Sequence, residues 1–287
     1  MTFKGAGTAL VTPFKSDGSL DEEAFARFVD WQITEGINFL VPCGTTGENP
    51  ALTPDEHKRV VELAVKTSNG RVPVLAGAGS NNTPRAVELA QQAADLGAGG
   101  ILTITPYYNK PTPDGLLRHF SAQAKAGLPM IVYNVPGRTG VNMTAETTLR
   151  MAREIPNIIG VKEASANMEQ ILTIIRDRPK DFLVLSGDDA WTLPLLGCGA
   201  DGLVSVASNE VPKLISQMVA TRSREIHERL LPLLLGNFIE SNPGPVKAAM
   251  KMMGILQSDT LRPPLAPITD ASRKKLESIL RECKLLE

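Results

Sequence analysis

The chain has 287 residues, 43% of them hydrophobic and 21% charged, enough to bury a large core. Its length suggests two domains by simple division, yet α/β barrels exceed 250 residues as one unit. Thirty basic and 31 acidic residues leave a net charge of −1, which argues against a nucleic-acid or membrane surface.

Taken in chain order, short apolar runs alternate with helix-patterned stretches. The first run is Gly7–Thr12, then Phe39–Cys43, Val72–Gly77 and Gly100–Thr105. Pro129–Val135, Ile158–Ala164, Phe182–Gly187 and Gly202–Ala207 continue the series. Each is nearly continuous in apolar and β-branched residues, the pattern of parallel strands buried on both faces. Between them Asp21, Thr53-Pro54, Thr83-Pro84 and Thr144 open amphipathic segments as helix N-terminal signals, and Gly36, Gly70, Gly97 and Gly127 close several.

Eight strand–helix units predict an α/β fold, a (β/α)8 TIM barrel. The alternative, a doubly wound open sheet, lacks support because no GxGxxG follows the first strand. From about Glu225 the pattern becomes wholly helical and is punctuated by Pro243, Pro245, Pro263, Pro264 and Pro267. The expected organisation is a catalytic barrel over 1–224 with a C-terminal helical appendage over 225–287 packed on it.

The opening MTFKGAGTALVTPF has no long apolar core, and no run reaches membrane-spanning length. Cys43, Cys198 and Cys283 are widely spaced and form no CxxC pair, so a disulfide framework is not expected and a cytoplasmic location is. His57, His119 and His227 are scattered without HExxH spacing, so no metal is expected.

In such a barrel the chemistry sits at the carboxyl ends of the strands. Four places carry polar residues there. Lys162, inside IIGVKEAS, must put its ammonium into the barrel or against a carboxylate. Neighbouring Glu163 is one candidate partner, although adjacent strand residues face opposite ways. The other reading is a desolvated amine nucleophile for Schiff-base formation. Gly44-Thr45-Thr46-Gly47-Glu48 follows the second strand, where glycines permit a tight turn and successive amides form an anion nest. It also reads as a plain turn. Tyr133 ends the fifth strand and Arg138 follows in YNVPGRTG; they suit proton transfer and carboxylate binding, or a satisfied core tyrosine and a solvated arginine. Tyr107-Tyr108 in TPYYNKP holds two of only three tyrosines, a pattern common at interfaces. An amine, hydroxyls, an anion nest and an arginine together fit carbon–carbon bond chemistry on a 2-oxo acid through an imine, without a cofactor.

GTALVTPF, GTTGE, TPYYNKP, YNVPGRTG, GVKEAS, LSGDD and NPGPVK also stand in the order and spacing of a known family. From about Gly7 to beyond Thr269 the chain resembles the dihydrodipicolinate synthase family of the pyruvate-dependent class I aldolase superfamily. The resemblance implies that Lys162 forms the Schiff base with pyruvate and that Tyr133 moves protons. It implies a hydroxyl relay through Thr45 and Tyr108, the latter from a neighbouring subunit. Thr46 would bind the pyruvate carboxylate, Val204 would lie near the imine and Gly187 would line the second-substrate side. Arg138 would receive the carboxylate of L-aspartate 4-semialdehyde, in the diaminopimelate route to lysine. The implied assembly is a homotetramer, a dimer of tight dimers.

One region departs from the pattern. Members inhibited by L-lysine bind it with two histidines and an acidic residue; here His57 is kept, but the other positions are Pro54 and Arg85. A cation in place of the carboxylate repels the ligand's ammonium, so weak or absent inhibition is expected. Rival readings are a sister aldolase acting on N-acetylneuraminate or a 2-keto-3-deoxy sugar acid, and a non-catalytic small-molecule binder. Arg138 argues against the first, and intact Lys162, Tyr133, Thr45 and Tyr108 against the second.

Overall fold

The computed structural model describes residues 2–286. Eight strands form one parallel sheet: β1 (Gly5–Ala9), β2 (Phe39–Val41), β3 (Leu75–Gly77), β4 (Gly100–Ile104), β5 (Met130–Asn134), β6 (Ile158–Glu163), β7 (Leu183–Ser186) and β8 (Gly202–Ser205). Their order, β2-β1-β8-β7-β6-β5-β4-β3, brings first and last strands side by side. The remaining seam between β2 and β3 is bridged by Leu40 N–H to Pro73 O at 3.0 Å and Gly77 N–H to Pro42 O at 2.9 Å. The sheet therefore curls into the expected barrel, and the doubly wound alternative is ruled out.

Each strand leads into a helix of the outer ring: α1 (Glu22–Thr34), α2 (Pro54–Ser68), α3 (Thr83–Asp95) and α4 (Pro113–Ala124). A single turn, α5 (Pro136–Thr139), precedes α6 (Ala145–Glu154), and α7 (Met168–Asp177), α8 (Thr192–Gly197) and α9 (Pro212–Thr221) complete it. The capping signals operate as read. Asp21 accepts from Ala24 N–H at 3.0 Å, and Thr53 and Glu56 form a reciprocal capping box. At α3 the cap is Asn82 rather than Thr83, because its side-chain oxygen reaches Arg85 N–H at 3.0 Å.

Alternation along the strands produces two apolar regions. Val41, Leu75, Leu102, Ile131, Leu185 and Val204 fill the barrel interior. The opposite strand faces pack against the helices, a core that also takes in Leu230, Leu233, Leu234, Met250, Leu276 and Leu280. These last come from α10 (Arg224–Gly236), α11 (Gly244–Met252) and α12 (Asp270–Glu282). The expected division at 224/225 falls in the first turn of α10. Among the described residues no helix is long and apolar enough to cross a membrane.

Candidate active site

Lys162 and Tyr133 occupy paired register positions on β6 and β5, both with side chains inside the barrel. Lys162 is 6% exposed, and its Nζ sits 4.2 Å from the centre of the Tyr133 ring. Burial is the main cause that lowers its pKa to about 8; Asp189 opposes the shift and Arg138 adds to it. At pH 7 about one amine in ten is then neutral, against about one in 3,000 for an ordinary lysine. Burial pushes the Tyr133 hydroxyl up to about 12, so it stays protonated and able to donate.

Glu163 is not the partner of Lys162. It faces the helix layer, where Asn134 Nδ2 and Gln170 Nε2 each donate to it at 3.1 Å and Ser165 N–H at 2.9 Å. The strand alternation thus separates the charges, and the alternative of an ion pair between neighbours falls.

Space for a ligand opens against Tyr133, while Lys162, 4.2 Å from that ring, does not itself line it. A cavity of about 220 Å³ opens at the carboxyl ends of β2 to β5, lined among others by Thr45, Tyr107, Tyr133 and Arg138. Arg138 is carried there by α5, the single turn that the Pro-Gly sequence makes after β5. In the GTTGE loop, Gly47 and Glu48 spend their amides on Gly44 O and Thr45 O, both at 3.1 Å. Among the described residues the Thr45 and Thr46 amides carry no hydrogen bond, which leaves a pair of donors for an anion. Thr46 is buried, and its Oγ1 accepts from Asn242 Nδ2 at 3.0 Å.

Two more of the expected positions lie inside the barrel, and one of them presses on Lys162. A Cβ on Gly187 would stand 3.0 Å from Lys162 Cε and 2.8 Å from Ala164 Cβ, so only glycine fits without displacement. Val204, 1% exposed on β8, forms part of the interior apolar wall. Tyr108 is the exception. It is 88% exposed and does not reach the cavity within its own chain. Its backbone is nevertheless held in the left-handed region at φ +71°, tied by its N–H to Thr139 O at 3.3 Å.

The sequence reading missed Asn242, Lys247 and Arg262, which reach the GTTGE loop from the C-terminal segment. Lys247 forms a buried ion pair with Glu48 at 2.6 Å, and Arg262 grips Glu56 through two nitrogens at 2.7 and 2.6 Å. NPGPVK carried a local signal in Lys247, a charge among apolar helix residues, but nothing that named its partner.

The chain matches the model of the dihydrodipicolinate synthetase family over residues 2–283. It is 51% identical to a 4-hydroxy-tetrahydrodipicolinate synthase of Koribacter versatilis, across 100% of this chain and 98% of the relative. Among solved structures, a dihydrodipicolinate synthase from Thermotoga maritima superposes with a TM-score of 0.96 at 42% identity over 100% of both chains. The chloride-inhibited dihydrodipicolinate synthase from Acinetobacter baumannii, solved in complex with pyruvate, has a TM-score of 0.96 at 39% identity, over 99% of this chain and 100% of that one.

Proposed function

The chain belongs to the dihydrodipicolinate synthetase family, and we propose that it uses Lys162 to carry pyruvate as a Schiff base into condensation with L-aspartate 4-semialdehyde. It is a lyase of the 4-hydroxy-tetrahydrodipicolinate synthase type, placed on the diaminopimelate route to lysine. The observation that carries the residue assignment is the buried amine of Lys162, 4.2 Å from the Tyr133 ring with its pKa lowered to about 8.

The neutral amine adds to the C2 carbonyl of pyruvate. Proton transfers involving the Tyr133 hydroxyl let the carbinolamine lose water, leaving a protonated imine. That imine draws electrons from C3, and loss of a C3 proton gives an enamine. The enamine carbon bonds to the aldehyde carbon of the semialdehyde, whose oxygen takes up a proton. Attack of the substrate's amino group on C2 then closes the ring and releases Lys162. The Thr45 and Thr46 amides and the Thr46 hydroxyl suit the pyruvate carboxylate, and Arg138 at the cavity mouth suits the carboxylate of the semialdehyde. Gly187 and Val204 give the adduct room and an apolar wall.

Tyr108 completes the hydroxyl relay with Thr45 and Tyr133 from a second subunit of a homotetramer. Its 88% exposure and constrained backbone support that role. All three cysteines are free, which accords with a cytoplasmic location.

Borohydride added with pyruvate should fix a single adduct, and peptide mass mapping should find it on Lys162. An adduct elsewhere, or none, overturns the assignment. Arg138→Ala should lower kcat/KM for the semialdehyde about 100-fold or more, about 3 kcal/mol, and leave trapping by pyruvate nearly intact. Equal losses in both would contradict its role.

The same chain is expected to resist L-lysine. His57 faces inward, its Nε2 2.9 Å from Gly77 O, with burial lowering its pKa. Pro54 begins α2, and Arg85 puts a guanidinium, paired to Glu88 at 3.0 Å, where an acid would be needed. Strong inhibition at sub-millimolar L-lysine in a steady-state assay would contradict this.

A further inference from the structure

One buried charge pair lies outside the catalytic group and against its anion-binding loop. Lys247 Nζ stands 2.6 Å from Glu48 Oε1, and neither side chain has exposed surface. Taking two such charges out of water costs several kcal/mol per ion, and apolar replacements of similar shape are often as stable or more so. Stability alone therefore gives weak grounds for keeping this pair.

Its position suggests another reason. Glu48 ends the GTTGE motif in a left-handed backbone, φ +54°, which a non-glycine residue holds only under constraint. Its other oxygen accepts from Arg262 N–H at 3.0 Å. Lys247 is fixed in turn by donating to Thr260 O at 2.8 Å and by sitting 4.4 Å over the Phe14 ring. The two preceding loop residues are tied as well. Gly47 O accepts from Thr12 Oγ1 at 2.7 Å, and Thr46 Oγ1 accepts from Asn242 Nδ2 at 3.0 Å. Three consecutive residues are thus each held by a hydrogen bond from outside the loop. Such bonds fix direction as well as distance, whereas apolar packing fixes volume.

We propose that Lys247 is a positioning residue for the anion-binding loop. By holding Glu48 it sets the Thr45 and Thr46 amides and the Thr46 hydroxyl where they receive the carboxylate of the 2-oxo acid. The inference rests on the assignment of that loop to the pyruvate carboxylate. Lys247 itself touches no substrate.

The test measures the pyruvate concentration giving half-maximal borohydride trapping on Lys162, in the full-length parent, Lys247→Met, and the double variant Glu48→Gln/Lys247→Met. The single variant leaves Glu48 buried without its partner, and its Tm should fall. The double variant removes both charges while keeping the shapes, and its Tm should recover. Its half-saturating pyruvate should still be raised about tenfold with the plateau rate unchanged, within what a sub-ångström misplacement costs. Recovery of Tm and pyruvate requirement together, or parental half-saturation in both variants, overturns the proposal. Should neither variant fold, Lys247→Arg keeps the charge but moves its donors; a raised pyruvate requirement is expected there, and a parental value overturns the proposal. Failure of the parent itself to be trapped is a different outcome, which overturns the functional reading and this inference with it.

Discussion

Lys162 illustrates how far one residue can be argued from chemistry alone. A charged side chain inside an apolar strand is costly, so either a partner or a function must account for it. The structure removes the nearest partner, since Glu163 turns to Asn134 and Gln170 on the opposite face. What remains is an amine whose pKa is lowered, by burial first, to about 8. Below that value the ammonium dominates and cannot attack a carbonyl; above it the free amine does. The initial rate of adduct formation should therefore rise about tenfold per unit between about pH 6 and pH 7.5, then level off beyond about pH 8.5. A rate still rising about tenfold per unit beyond about pH 8.5, measured by quenched borohydride trapping, would contradict the lowered pKa.

At the scale of elements, the site depends on neighbouring strands meeting at fixed register. Lys162 pairs with Tyr133 on one side and with Leu185 on the other. Gly187, just beyond β7, then comes so close to Lys162 that a methyl group has no room. Gly187→Ala should slow adduct formation about 100-fold by displacing the amine. The same overpacking should reduce stability by about 1–3 kcal/mol. Trapping kinetics and thermal melts check the two effects separately, and a parental trapping rate would refute the steric argument. Helix starts were legible because caps are local: Asp21, Thr53 and Thr144 act within three residues of themselves. The Asn82 cap was less so, since Thr83 beside it offers the same chemistry and only backbone geometry chooses between them.

At the scale of the whole molecule, a barrel closed by neighbouring strands gathers Thr45, Tyr133 and Arg138 around one cavity. Tyr108 stands apart, 88% exposed in the loop after β4. If its hydroxyl serves a neighbouring subunit, Lys162→Met and Tyr108→Phe should each be nearly inactive alone. Subunits of both kinds, co-expressed, should regain about a quarter of parental activity, because random pairing leaves about that share of sites intact. No regain in purified mixed oligomers would show that Tyr108 acts within its own chain, and a Tyr108→Phe protein active by itself would show that it does not act at all. The C-terminal helices share the barrel's outer core, and the segment sends Lys247 from α11 and Asn242 and Arg262 from the flanking loops to the GTTGE loop.

By itself the amino-acid sequence determined the strand–helix rhythm, the burial of Lys162, the turn-forming glycines of GTTGE and the arginine after β5. Each of these follows from local periodicity or from the cost of a charge in an apolar run. Only the tertiary structure decided that Glu163 faces away from Lys162, that Gly187 is pressed against it, and that Lys247 pairs with Glu48 across 199 positions. Those contacts depend on which strands lie side by side and which way each side chain turns. Composition, which opened on an even charge balance, had no means of recording that two of those charges meet in a place without water.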